Sequence, residues 1–236
     1  KECNPKLGAT ETVWYYQTDR NENKPAILWY AGGDGHYTNL DYQPISLLKG
    51  KFDIIIVASP LAFKSNRNTR GYPLNAYNKY VIYRMKQASE YYKKLLKKKI
   101  WLGGISSGGP RMIGALSGTE KDRPSDIYSG LIFASPYLAK VYQGTATMNI
   151  STDKIKYQMN LPILIIQHSR DHKPAQHPNL QKKFRNILSK KNSGITELKL
   201  LTEGNPRITY EDCCHHRFEY NKNEVARVIS QFIQKN

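Results

Sequence analysis

Short apolar segments recur at residues 13–17, 26–30, 53–58, 100–102, 131–134, 163–166 and 198–201. Each has the length of one buried strand, far below the ~20 apolar residues that a membrane-spanning helix takes. The middle ones are continuous apolar runs, the pattern of a parallel sheet covered on both faces. Helical periods fill the gaps between them. Val81, Ile82, Met85, Ala88, Tyr92, Leu95 and Leu96 share one face before the segment at 100. Leu180, Phe184, Ile187 and Leu188 do so after the segment at 163, and Val225, Val228, Ile229, Phe232 and Ile233 near the end. This alternation predicts an α/β fold: a mostly parallel central sheet with helices on both faces. No repeat or linker divides the chain, so residues 1–236 are expected to form one domain. Residues 65–75, rich in Asn, Arg, Gly and Pro, read as a surface connection.

The chemistry concentrates where the apolar segment at 100 ends. There Gly104-x-Ser106-x-Gly108 stands between a strand and the helix-like residues 111–116. Such a turn is tight enough that side chains at both glycines would meet neighbouring backbone. It forces the serine into a strained conformation with Oγ exposed above the strand end. The next helix aims its N-terminal amides at the same place, where they favour the negative charge that develops in acyl transfer. A glycine-rich turn without chemistry can share the pattern, but the strand before and the helix after favour a nucleophile.

In these residues the chain resembles the α/β-hydrolase family, and the resemblance implies an α/β-hydrolase fold with Ser106 as nucleophile. It extends to three further places. Residues 29–36, Trp-Tyr-Ala-Gly-Gly-Asp-Gly-His, stand where the family carries a Gly-rich oxyanion loop. The resemblance implies an oxyanion hole from the Gly33 amide, with Asp34 as the alternative, and the Ser107 amide. Ala31 departs from the family, which often has a histidine there. Beyond residues 163–166, Asp171 falls where the family places its acid, which orients the imidazole and stabilises the imidazolium. A cap on a helix starting near Pro174 is the other reading of Asp171. Finally, Cys213-Cys214-His215-His216-Arg217-Phe218 precedes the last amphipathic helix, where the family has its catalytic histidine. His216 is the expected base, because His-Arg-Phe resembles that loop in some members; His215 is the alternative. The order Ser106, Asp171, His216 is that of the family.

A zinc site at residues 213–216 is the rival reading of that cluster. Zinc ligands usually come as spaced pairs, and four consecutive residues cannot all face one ion. That makes a metal site the weaker reading, and the resemblance implies neither a metal nor a cofactor. Residues 103–110 lack the Gly-Lys-Ser/Thr ending of a phosphate-binding loop. His172 and His177 read as surface or loop histidines.

The formal charge is +17, from 36 Lys+Arg against 19 Asp+Glu. Such a field favours anionic partners, but the basic residues are scattered, and nucleic acid is not expected. The densest run, from Lys93 to Lys99, reads as a solvated helix end where cations complement the helix dipole. Lys1 in place of an initiator Met leads to the expectation that a preceding segment was removed. A bridge from Cys3 to Cys213 or Cys214 would leave one thiol over and suit an oxidising compartment. An exported protein is the expectation, with a cytoplasmic one, its thiols reduced, as the alternative.

The resemblance implies hydrolysis of a carboxylic ester or thioester through an acyl-enzyme, with peptidase or amidase activity open to the same machinery. A short, polar, lid-like connection at about 136–160 has no long apolar stripe of the kind that opens on lipid. Soluble or polymer-borne esters, anionic ones included, are the expected substrates. The other class of reading is a non-catalytic hydrolase-like domain that binds a polyanion.

Overall fold

In a computed structural model the predicted apolar segments become the strands of one sheet. The structure describes residues 2–4, 9–11, 13–16, 24–30, 44–57, 74–106, 108–116, 124–142, 145–148, 155, 157–171, 177–202, 218 and 220–236. Its strands are β1 (Glu2–Asn4), β2 (Ala9–Glu11), β3 (Val13–Tyr16), β4 (Ala26–Tyr30), β5 (Asp53–Val57) and β6 (Ile100–Ile105). They continue with β7 (Tyr128–Ala134), β8 (Ala139–Tyr142), β9 (Thr145–Met148), β10 (Ile163–His168) and β11 (Thr196–Leu201). The helices are α1 (Leu74–Leu96), α2 (Gly108–Leu116), α3 (Pro124–Ile127), α4 (Pro178–Ser189) and α5 (Lys222–Lys235), with a 3-10 turn at Pro44–Leu48.

Among the described residues the central sheet has seven strands in the order β11-β10-β7-β6-β4-β5-β3. All pairs are parallel except β3 with β5, which is antiparallel. Alternate residues of the inner strands feed two separate cores. Leu28, Leu102, Phe133 and Ile165 pack on one face under Met85 of α1, Met112 and Ile113 of α2, and Phe184 and Leu188 of α4. Trp29, Trp101, Ile132 and Ile166 pack on the other under Val225, Ile229, Phe232 and Ile233 of α5 and Ile45 of the 3-10 turn. Burial on both faces is the reason these strands read as unbroken apolar runs. β11 lies at the sheet edge, and its exposed Glu197 and Lys199 suit a strand with one free side.

The expected helices are all present, and α1 carries Lys93 and Lys94 in its last turn, as the dipole favours. It stops at Lys97, whose φ of +51° is left-handed. Two antiparallel ribbons, β1–β2 and β8–β9, and the one-turn helix α3 go beyond the sequence reading. The connection at 136–160 is also less polar in effect than its composition suggests, because Leu138, Ala139, Ile155 and Met159 are buried in the core. No helix among the described residues is long and apolar enough to cross a membrane.

The phenol of Tyr128, at the start of β7, is fully buried and donates to Ser89 Oγ at 2.9 Å, which in turn donates to the Met85 carbonyl at 2.8 Å. Burial pushes this phenol up to about 12. A group held protonated in this way stabilises the fold fully below its unfolded pKa of about 10, and the contribution is lost as pH rises towards 12. Between those pH values, wild-type unfolding free energy is expected to fall by about 2–3 kcal/mol more than that of Tyr128→Phe. Urea titrations of both proteins across that window measure the difference, since the two differ by one hydroxyl. Parallel curves would remove the assignment.

Candidate active site

Ser106 is the residue at which β6 becomes α2. It is half-buried and left-handed, with φ of +56°, a conformation that costs a non-glycine residue on the order of 1–3 kcal/mol. Three backbone bonds hold it there. Its N–H donates to the Ala134 carbonyl at 3.0 Å, and its own carbonyl accepts from Gly109 N at 3.1 Å and Tyr137 N at 2.9 Å. The turn is thus fastened to the end of β7 as well as to its own helix.

The glycines around Ser106 answer to packing. A Cβ on Gly104 would lie 3.3 Å from the Tyr30 carbonyl oxygen, and one on Gly108 3.2 Å from the same atom. The end of β4 therefore presses on both motif glycines. Two neighbours outside the motif are more constrained still. A Cβ on Gly103 would stand 2.5 Å from the Trp29 ring, and one on Gly109 2.4 Å from Pro136 Cβ. The run of glycines lets a tight turn pass between β4 and the start of the 136–160 connection.

Asp171 follows β10 by one turn, closed by its own N–H to the His168 carbonyl at 3.1 Å. It is buried, and its Oδ2 accepts from Ser135 Oγ at 2.8 Å and from Gln167 Nε2 at 2.9 Å. Ser135 is itself left-handed, at φ +42°, directly after β7. The helix start near Pro174 that the capping reading of Asp171 requires lies outside the described residues; the described helix α4 begins at Pro178 and is capped by exposed His177, whose Nδ1 accepts from Asn179 N at 3.2 Å. His168 is fully buried and its Nδ1 accepts from the Arg170 amide at 3.1 Å, so that nitrogen serves the turn.

Ser106, Ser135 and Asp171 all lie at the carboxyl edge of the sheet, after the adjacent strands β6, β7 and β10. Two strand spacings, about 10 Å, separate β6 from β10. An imidazole with a hydrogen bond of ~2.7–3.2 Å on either side spans about 8 Å, the same order as that separation. β5 and β6 flank β4 on opposite sides, so this edge is also a topological switch point, where open α/β sheets form their binding crevices.

Gly33, Asp34, Ser107, His215 and His216 lie outside the described residues, as do Cys213, Cys214 and His172. The stretches that hold them are flanked by described residues. β4 ends at Tyr30 beside β6, and α2 starts at Gly108. Phe218, at φ +59°, is fully buried with Leu201, Val225 and Ile229. Ser135 and Gln167 were not legible as site residues. The only local hints were a Ser-Pro pair closing one apolar segment and a lone polar residue closing another.

No family model matches the chain, and no curated protein matches it by sequence. Solved structures do match. Est1E from Butyrivibrio proteoclasticus is similar at a TM-score of 0.62 and 16% identity, over 99% of this chain and 96% of that one. An acetyl ester-xyloside bifunctional hydrolase from Caldicellulosiruptor lactoaceticus is similar at 0.61 and 16%, over 99% and 90%. MenH from S. aureus is similar at 0.61 and 14%, over 94% and 98%. With the strand order and the helices on both faces, these likenesses establish the α/β-hydrolase fold.

Proposed function

We propose that the chain is a serine hydrolase acting on carboxylic esters. The observation that carries the reading is a left-handed Ser106 on the same sheet edge as a buried, donor-held Asp171, two strands away. In this reading Ser106 Oγ attacks the acyl carbon while His216 takes its proton, and Asp171 holds the ring and stabilises the imidazolium. The Gly33 and Ser107 amides receive the oxyanion. Collapse expels the alcohol, which takes the proton from His216. Water then repeats the sequence on the acyl-enzyme and frees the acid. No step uses a metal or cofactor.

Esters are preferred over amides because the similar structures include esterases, one of them with butyrate bound and one with ferulic acid bound. Thioesters fit the same chemistry.

A fluorophosphonate probe tests the proposal. Attack by Ser106 Oγ on phosphorus expels fluoride, passes the proton to the base, and leaves a stable adduct. Mass spectrometry is expected to find that adduct on Ser106. A folded sample that takes up no label would overturn the reading.

One observation favours the non-catalytic alternative. A cleft of about 490 Å³ is lined by Lys93, Lys94, Lys97, Lys98 and Lys99, with Glu90 as its acidic member. Lys98 is already matched by buried Asp53 at 3.1 Å, so the others supply the field. The cleft lies at the amino end of β6, about 20 Å along the strand from Ser106. A polyanion held there would not cover the proposed active site, so binding in the cleft is compatible with catalysis, and labelling at Ser106 decides between the two readings.

A further inference from the structure

We propose that Ser135 and Gln167 are positioning residues for the acid, an inference that rests on the hydrolase reading above. Both donate to one oxygen, Asp171 Oδ2, at 2.8 and 2.9 Å. They come from different strands, Ser135 from the end of β7 and Gln167 from within β10, so together they fix the carboxylate plane between two neighbours.

Neither residue is what stability alone would select. Gln167 is fully buried, and its Oε1 has no hydrogen-bond partner. A buried amide left half-satisfied is costly, and an apolar side chain of similar size would avoid the penalty. Turning the amide over would set Oε1 against the carboxylate, so Asp171 dictates its orientation. Among the described residues, Gln167 Nε2 has one other acceptor, the His168 carbonyl at a long 3.4 Å. The amide is therefore held chiefly for Asp171. Ser135 repeats the pattern. Its φ of +42° suits glycine, yet the position carries a hydroxyl, and that hydroxyl goes to Asp171. Two adjacent strands thus each accept a local penalty to place a donor on the same oxygen.

The consequence is kinetic. Donors that fix the carboxylate matter when positive charge forms on the imidazole, and little to substrate binding. Gln167→Met and Ser135→Ala are each expected to lower kcat on p-nitrophenyl acetate about tenfold, the scale of one hydrogen bond to a charged group. KM should stay within about twofold. The melting temperature of Gln167→Met should change little, because removal of the orphaned Oε1 offsets the loss of one donor to Asp171. Ser135→Gly should match Ser135→Ala in kcat while relieving the backbone, which separates the hydroxyl from the turn. If the wild type turns over and is labelled at Ser106 but these folded variants keep its kcat, this assignment alone falls. It also falls if kcat is lost only together with a lower melting temperature and a raised KM. If the wild type neither turns over nor takes the label, the hydrolase reading falls and takes this assignment with it.

Discussion

Ser106→Ala is expected to lower ester turnover by about 10⁴–10⁶, the range seen when a triad nucleophile is removed, with little change in melting temperature. The two halves of this expectation have separate causes. Rate is lost because the acyl-enzyme route needs Oγ, and what remains is binding plus whatever oxyanion stabilisation survives. Stability is kept because the turn depends on backbone bonds to Ala134, Gly109 and Tyr137, none of which uses the hydroxyl. Alanine at φ +56° is strained about as much as serine. Ser106→Gly sharpens the test, since glycine is at ease in that conformation and should leave the protein as stable or slightly more so. A variant that gains stability and loses all activity separates function from folding. Initial rates on p-nitrophenyl acetate and a thermal melt of the same samples suffice, and near-normal turnover by either variant would end the case for Ser106.

The fold was legible where burial is symmetric. β4 and β5 lie between sheet neighbours and under helices on both faces, so almost every residue is apolar and their starts could be read directly. Boundaries blurred where packing wants no side chain. β6 runs on to Ile105 through Gly103 and Gly104, which look like a loop; Trp29 leaves no room for a Cβ at the first, and Tyr30 and Met112 crowd the second. β7 begins at Tyr128, before an equally crowded Gly130, where a Cβ would stand 2.2 Å from the Trp101 ring. At the edge, β11 alternates exposed polar residues with partly buried ones, so only part of its length looked like a strand. The same division holds at the site. Ser106 and Asp171 announce themselves through motif and position, because a tight turn and an acid loop are local. Ser135 bears on Asp171 only because β7 lies beside β10, and strand order is a long-range outcome that no local pattern carries; Gln167 is only four residues from Asp171, but a lone polar residue at a strand end does not say which neighbour it will meet.

The largest effect outside Ser106 is expected at one of two adjacent histidines. Neighbouring residues in an extended segment point to opposite sides, so only one of His215 and His216 can reach both Ser106 and Asp171. His216 is the proposed base, since His-Arg-Phe before the last helix resembles the catalytic loop of some α/β-hydrolases. The burial of Phe218 beside Val225 and Ile229 gives that stretch a fixed point two residues further on. His216→Ala is expected to lower kcat by about 10⁴ or more, since the base acts as one unit with the nucleophile. His215→Ala should stay within about tenfold of wild type. A pH series adds a signature that misfolding cannot imitate. Wild type and His215→Ala should share a rate that rises through the range where imidazole loses its proton, between pH 5 and 8. His216→Ala should show no such limb in whatever rate survives. If the pattern appears in His215→Ala instead, the base is one residue earlier and the rest of the mechanism stands. Should both variants keep their rate and their limb, neither histidine is the base, and the proton must leave Ser106 by another route.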